Sequence, residues 1–286
     1  MKHIAIIPNN SKDIGLANTK RLVEFLCKKT KDTGVVLYME NSYEVIGMNV
    51  NYVPSSVLYD KTDYAVVLGG DGTILQRAAE CAKRHIPILG INLGKVGFMA
   101  EVEIDDMEKA LDKFLAGDFR IEKRMMMKAQ IKRDGEVQIA FHALNDVVVS
   151  KSVGEKLICM ELLTDGEEVN RYIADGLIIA TPTGSTGYSI SAGGPVVDPC
   201  MRLYVATPIC AHMLSVRSAV LSSDKQINIS LDGAYGGSDA VVTADGDIQG
   251  YIKDTDEVII TESEYDFELV RIGGQSFYDT LIKKLS

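Results

Sequence analysis

The sequence predicts an α/β protein, with an N-terminal parallel-sheet α/β domain and a C-terminal antiparallel, β-rich, β-sandwich-like domain. Three observations predict it. Up to about Phe119, short apolar runs alternate with amphipathic segments, the pattern of βαβ units and a parallel sheet. Beyond it, short β-branched runs flank Asp134-Gly135 and Asp165-Gly166, pairs that suit tight hairpin turns. Last, Ser276 opens an isolated amphipathic segment with Phe277, Leu281, Ile282 and Leu285 on one face. That face has to be buried, and packing back onto the first domain is the expected solution. The expected division is residues 1–120 with the 273–286 helix returning to them, and 121–272.

The elements follow in order. His3 to Pro8 is a short apolar strand. Ser11 and Asp13 offer caps for a helix through Lys29, with Leu22, Val23 and Leu26 on one face. Val35 to Met39 and Tyr64 to Leu68 are strands, the second ending abruptly in Gly69-Gly70. A helix from about Thr73 to Arg84 precedes a strand at Ile88 to Ile91. Asp105 caps a helix that buries Met107, Ala110, Leu111, Phe114 and Leu115 and stops at Gly117. In the β-rich part, expected strands are Lys128 to Arg133, Val137 to His142, Leu157 to Thr164 and Glu168 to Ile173. Ile227 to Leu231, Ala240 to Ala244, Val258 to Thr261 and Phe267 to Arg271 complete them. The run Met125-Met126-Met127 is expected to fill core.

Composition excludes several classes. With 286 residues at about 150 per domain, one large domain or two ordinary ones fit. An apolar fraction of 46% with 24% charged residues is globular, not disordered. The 30 Lys+Arg against 40 Asp+Glu leave a charge of −10, which disfavours coating nucleic acid or docking on an anionic membrane. The opening apolar run is too short for a signal peptide, and no stretch has the length of a membrane span. Five scattered cysteines and four scattered histidines show no metal spacing and suit a reduced, cytoplasmic location.

Three segments carry chemistry. Val66 to Thr73 runs a strand into Gly69-Gly70-Asp71-Gly72 and then a helix. Glycine lets the backbone approach a ligand, and a helix N-terminus offers N–H groups to an anion. A phosphate would repel Asp71 unless the carboxylate holds a metal or accepts a hydroxyl proton. Neither a Walker loop nor G-x-G-x-x-G is present. The second segment, Asp175 to Pro195, ends an apolar strand in a loop dense in Gly, Ser and Thr, with Tyr188 offering an aromatic face to a base. The third is Asn145-Asp146 before Val147-Val148-Val149.

Together these segments resemble the NAD kinase family. The resemblance adds Asn92-Leu93-Gly94 before Gly97-Phe98, Asp245-Gly246, and Phe277-Tyr278-x-x-Leu281-x-x-Lys284-Leu285. It spans nearly the whole chain, and Thr181 to Pro195 is its most specific part. It implies that ATP or polyphosphate phosphorylates the 2′-hydroxyl of the adenosine ribose of NAD, with a divalent metal, Mg²⁺, helping. It further implies Asp71 as general base, with Gly69, Gly70 and Thr73 at the phosphates and Gly72 at the substrate. Asn145 and Asp146 would bond the adenosine or ribose of NAD, and Asp175 would meet its nicotinamide end. Thr183, Thr186, Gly187, Tyr188 and Ser191 would line the adenine pocket. Asp245 is a further candidate, on the phosphate-donor or metal side. The metal ligands are left open. A homo-oligomer, dimer or tetramer, with sites completed by a neighbouring subunit, is also implied.

The sequence departs from the family pattern in places. Asp146 stands where Glu is common, Gly187 where Ala is frequent, Asp247 where Gln often touches ligand, and Ile173 where Arg is frequent. Two other readings share the features: a diacylglycerol-type lipid kinase with the same glycine–aspartate loop, and a non-catalytic NAD(P)-binding sensor.

Overall fold

A computed structural model describes residues 2–94, 97–154, 157–212, 217–235, 239–273 and 276–285. The Leu285 side chain, expected on the apolar face of the last helix, lies outside what it describes. The chain forms two compact units, Met1–Lys123 with Phe267–Ser286, and Arg124–Asp266.

The first unit begins with β1 (His3–Pro8), α1 (Ala17–Thr30), β2 (Val36–Glu40), β3 (Asn51–Val53) and α2 (Ser55–Leu58). It continues with β4 (Tyr64–Gly69), α3 (Asp71–Lys83), β5 (Ile88–Asn92), β6 (Val102–Glu103) and α4 (Met107–Ala116). The sheet is parallel in the order β5-β4-β1-β2-β3, with β6 added to β5. Ile4, Ile6, Val66 and Leu68 of the sheet pack with Leu22, Val23 and Leu26 of α1 and with Met107, Leu111 and Phe114 of α4. Asp13 does cap α1, but from a distance: its carboxylate accepts the Asn18 and Thr19 N–H groups at 3.0 and 2.8 Å. Gly117, at φ +78°, ends α4.

The strand order reverses between β1 and β4, because the chain leaves β1 toward β2 and returns on its other side to β4. Such a switch point opens a crevice at the carboxyl ends of the strands. Pro8-Asn9, Gly69-Gly70 and Asn92-Leu93 all lie along that edge, with Pro8 in register next to Leu68 and Gly69 opposite Asn92.

The second unit starts within β7 (Arg120–Arg133), followed by β8 (Glu136–Ala143), β9 (Asp146–Lys151), β10 (Ile158–Thr164) and β11 (Glu167–Ala174). Then come β12 (Gly176–Ala180), α5 (Tyr188–Ser191), β13 (Leu203–Ile209), β14 (Ala219–Ser222), β15 (Ile227–Leu231), β16 (Asp239–Ala244) and β17 (Asp247–Lys253). One six-stranded antiparallel sheet runs β14-β13-β12-β9-β16-β17. Facing residues of both sheets form one core, including Met125, Met127, Met160, Leu177, Ile179, Tyr204, Ile229 and Val258. The methionine run is thus buried, as expected. The second sheet, β11-β10-β15, is completed by the long strand β18 (Asp256–Arg271). That strand was expected as two; its polar middle, Glu262 to Asp266, reads as a break yet continues the pleat.

The Asp-Gly turns at 134–135, 165–166 and 245–246 all place both residues at positive φ, the geometry of a two-residue hairpin loop. The last helix, α6 (Phe277–Leu285), belongs to the first unit, with the Phe277 ring 5.5 Å from the Phe98 ring.

Candidate active site

In the first unit, Gly70 is extended and Asp71 opens α3. The Asp71 carboxylate does not point into open space. Oδ2 accepts the Phe98 N–H at 2.7 Å, and Oδ1 accepts those of Met99 and Ala100, each at 3.0 Å. A Cβ on Gly97 would lie 1.9 Å from Asp71 Oδ1, so this close approach needs glycine. Gly69 is similarly constrained, because a Cβ there would meet Thr73 Oγ1 at 2.3 Å. Asn9, just past β1, donates through Nδ2 to Thr73 Oγ1 at 2.7 Å and so joins the two strand ends at the switch point. The Thr73 N–H donates to Gly70 O at 2.9 Å, while the amides of Asp71 and Gly72 have no carbonyl within the helix to bond, which favours an anion there.

Two cations flank this loop. Lys284 of α6 lies 4.0 Å from Asp71 Oδ2 and 4.4 Å over the Phe98 ring. Lys12 Nζ would be 2.8 Å from a Cβ on Gly70. No local motif marks Lys12, and the link of Lys284 to Asp71 exists only through the returning helix.

In the second unit, Asp245 in the β16–β17 turn does for Asn145-Asp146 what the Phe98–Ala100 amides do for Asp71, with the roles exchanged. Its Oδ1 accepts the Asn145 and Asp146 N–H groups at 2.7 and 3.1 Å, and its Oδ2 accepts Leu144 N–H at 2.8 Å. Burial pushes the Asp245 carboxyl up to about 6, against the three donors that favour its ionised form. Burial, and then the Asp245 charge, push Asp146 up to about 7. Asn145 Oδ1 is buried without a hydrogen-bond partner. Gly184 rests on the Asn145 backbone, where a Cβ would be 2.0 Å from its carbonyl oxygen. A Cβ on Gly187 would sit 3.6 Å from Asn145 Nδ2 and 3.9 Å from Asp146 Oδ2.

The hydroxyl-rich loop divides its labour. Thr181 Oγ1 donates to Leu144 O at 2.6 Å, Ser185 Oγ to Pro182 O at 2.7 Å and Thr186 Oγ1 to Thr183 O at 3.2 Å. These hydroxyls satisfy backbone. Thr183 is buried and accepts from Nη1 of the fully buried Arg124 at 3.2 Å, a partner the sequence did not suggest. Tyr188 keeps 48% of its surface exposed, and Ser191 is exposed beside it on α5.

Asp175 stands apart. It precedes β12, while Asn145-Asp146 and Thr181 lie at that strand's other end, since Asp146 pairs with Ala180 and Ser150 with Gly176. The separation is about 15 Å at 3.3 Å per residue. Asp175 is ion-paired with Lys151 at 2.7 Å. Among the described residues no three His, Cys, Asp or Glu side chains converge to hold a metal ion.

Residues 4–119 match the ATP-NAD kinase N-terminal domain family, and residues 144–272 the ATP-NAD kinase C-terminal domain family. The chain is 39% identical to an NAD kinase of Natranaerobius thermophilus, covering all of this chain and 98% of that one. It is 37% identical to an NAD kinase of Caldanaerobacter subterraneus, covering all of this chain and 99% of that one. Its fold is similar to an Archaeoglobus fulgidus NAD kinase in complex with ATP, with TM-score 0.75, 29% identity, and 99% and 98% of the two chains covered. A yeast NADH kinase complexed with NADH shares the fold at TM-score 0.86 and 24% identity, over 99% of this chain and 86% of that one. The chain belongs to the NAD kinase family.

Proposed function

We propose that this protein transfers the γ-phosphoryl group of ATP to the 2′-hydroxyl of the adenosine ribose of NAD, giving NADP. The observation that carries the reading is Asp71, a carboxylate fixed by three backbone N–H groups at the start of a helix. An ionised carboxylate offers about four acceptor positions. Three are taken, and the remaining one, on Oδ2, accepts the hydroxyl proton as the new O–P bond forms and the bond to the leaving ADP oxygen breaks. Gly69, Gly70 and Thr73 lie at the phosphates and Gly72 at the substrate. A divalent metal such as Mg²⁺ would, when bound, neutralise charge on the phosphoryl oxygens. Polyphosphate is the other donor this loop suits.

In the second unit, the unpartnered Asn145 Oδ1 takes a ribose or adenine donor, and Asp146 bonds the ribose. Thr183, Thr186, Gly187 and Ser191 surround the adenine, with the exposed Tyr188 ring against its face. Asp245 acts by setting the geometry of this loop. Asp175 meets the nicotinamide end. We read the assembly as a homo-oligomer, dimer or tetramer, with sites completed by a neighbouring subunit; exposed Ile248 and Tyr251 on edge strand β17 and Val220 on edge strand β14 support this. Five cysteines scattered without C-x-x-C spacing support a cytoplasmic location, and no helix among the described residues is long and apolar enough to cross a membrane.

Purified protein with NAD, ATP and Mg²⁺ is expected to form NADP. Absence of product with ATP and polyphosphate across several divalent metals overturns the reading. Asp71→Asn is expected to lose activity by about a hundredfold or more while still binding NAD; a near-normal rate removes Asp71 as the base.

A further inference from the structure

We infer that Arg271 is a positioning residue for the Asp71 base, holding from the opposite side the peptide groups whose N–H groups carry the Asp71 carboxylate. Arg271 ends β18 and is 7% exposed. Its Nη2 donates to Phe98 O at 3.1 Å and its Nη1 to Met99 O at 3.4 Å. The Phe98 carbonyl shares a peptide group with the Met99 N–H, and the Met99 carbonyl shares one with the Ala100 N–H. Both of those N–H groups donate to Asp71 Oδ1 at 3.0 Å. Two peptide groups thus lie between a guanidinium and a carboxylate, each accepting from one and donating to the other.

That arrangement does two things. It fixes the tilt of both peptides, and so the place of the carboxylate. It also polarises them, because hydrogen bonds in a chain strengthen one another. The guanidinium is itself locked. Nη1 meets Glu101 Oε2 at 3.2 Å, and Nε and Nη2 meet Glu122 Oε1 at 3.2 and 2.9 Å. Glu101 Oε1 in turn accepts the Ile272 and Gly273 N–H groups at 2.8 and 3.2 Å. Holding two carboxylates and two carbonyls at once needs the rigid planar fork of arginine, and a lysine ammonium cannot span all four. Arg271 touches no reacting atom; it acts through residues 98–100.

The inference rests on Asp71 being the base, and the test separates the two. The readout is kcat per NAD-binding site, with sites counted by calorimetric titration, so that loss of folded protein does not register. Arg271→Lys is expected to lower kcat per site by tenfold or more, with KM for NAD within twofold. Arg133→Lys loosens an equally well-formed ion pair, Arg133 to the buried Asp256 at 2.7 Å, far from this loop in sequence. It is expected to lower Tm and leave kcat per site unchanged. A folded Arg271→Lys protein with kcat per site within twofold of the parent overturns the inference. Should that variant not fold, Glu122→Gln, which loosens the guanidinium while keeping it, is expected to lower kcat per site several-fold; no change overturns the inference. Asp71→Asn is measured in parallel. A near-normal rate there refutes the base itself, whereas an inactive Asp71→Asn with an unaffected Arg271→Lys refutes only the part given to Arg271.

Discussion

Gly97 shows how little room the base has. Gly97→Ala puts a methyl 1.9 Å from Asp71 Oδ1, so the carboxylate or the loop has to move. The expected outcome is a kcat loss of about a hundredfold and a stability loss of ~1–3 kcal/mol, read by initial rates and urea melts. Asp146 and Asp245 lead to a pH prediction. Both are raised above the ordinary aspartate value, Asp146 to about 7 and Asp245 to about 6. The folded chain then keeps protons that the unfolded chain has released, so their contribution is fullest below pH ~4 and is lost by pH ~7. Asp146→Asn is expected to lose less stability than the parent between pH 5 and pH 8, by roughly 1–3 kcal/mol in urea melts at the two values. At this scale the sequence pointed to Asp71, Asn145 and the glycines, because strand-to-helix glycine loops have a local signature. Arg271, Lys12 and Arg124 had none: each is an ordinary basic residue until the fold sets it against a distant carbonyl, loop or hydroxyl.

The elements differ in how far a sequence window exposes them. The parallel strands β1, β4 and β5 are continuous apolar runs, and Asp-Gly turns marked two of the hairpins, so these were legible. Strands β13, β14 and β17 were not. β14 is short and β17 largely exposed, and β13, though buried, carries no flanking turn signal; each is held as a strand by its neighbour, β13 by β12, β14 by β13 and β17 by β16. The role of α6 was legible in part: its apolar face demanded a partner, but the window could not show that the partner is the loop at Phe98. Deleting residues 276–286 removes the Phe277–Phe98 ring contact and the Lys284 cation beside Asp71. The expected result is a lower Tm, by several degrees, together with a kcat loss greater than that of Lys284→Ala, seen by calorimetry and initial rates. An unchanged Tm would mean that α6 contributes no packing.

For the whole molecule, the −10 charge limits where anions can be held. Backbone amides and a few fixed cations, Lys12 and Lys284 among them, supply the positive potential at the glycine–aspartate loop, so a net count of charges says little about it. The charge does bear on assembly, since like-charged copies associate through apolar patches. Ile248→Asp with Tyr251→Asp on β17 is expected to reduce the proposed oligomer to a smaller species in light scattering, while leaving the circular dichroism unchanged. A parent protein that is monomeric at micromolar concentration would refute the oligomer.

Asp245 clamps the Asn145 and Asp146 amides from 100 and 99 positions further along the chain. Translation therefore completes the residues assigned to NAD well before it completes their support. A nascent chain stalled with residues through 230 exposed carries Asn145, Asp146 and the whole Thr183 to Ser191 loop, yet lacks the turn that orders the first two. On the proposed assignment, such a chain has the sequence of a nucleotide site but lacks its affinity. Order at Asn145 and Asp146 arrives only when the β16–β17 hairpin emerges and closes a loop of about a hundred residues, a late, non-local step in folding.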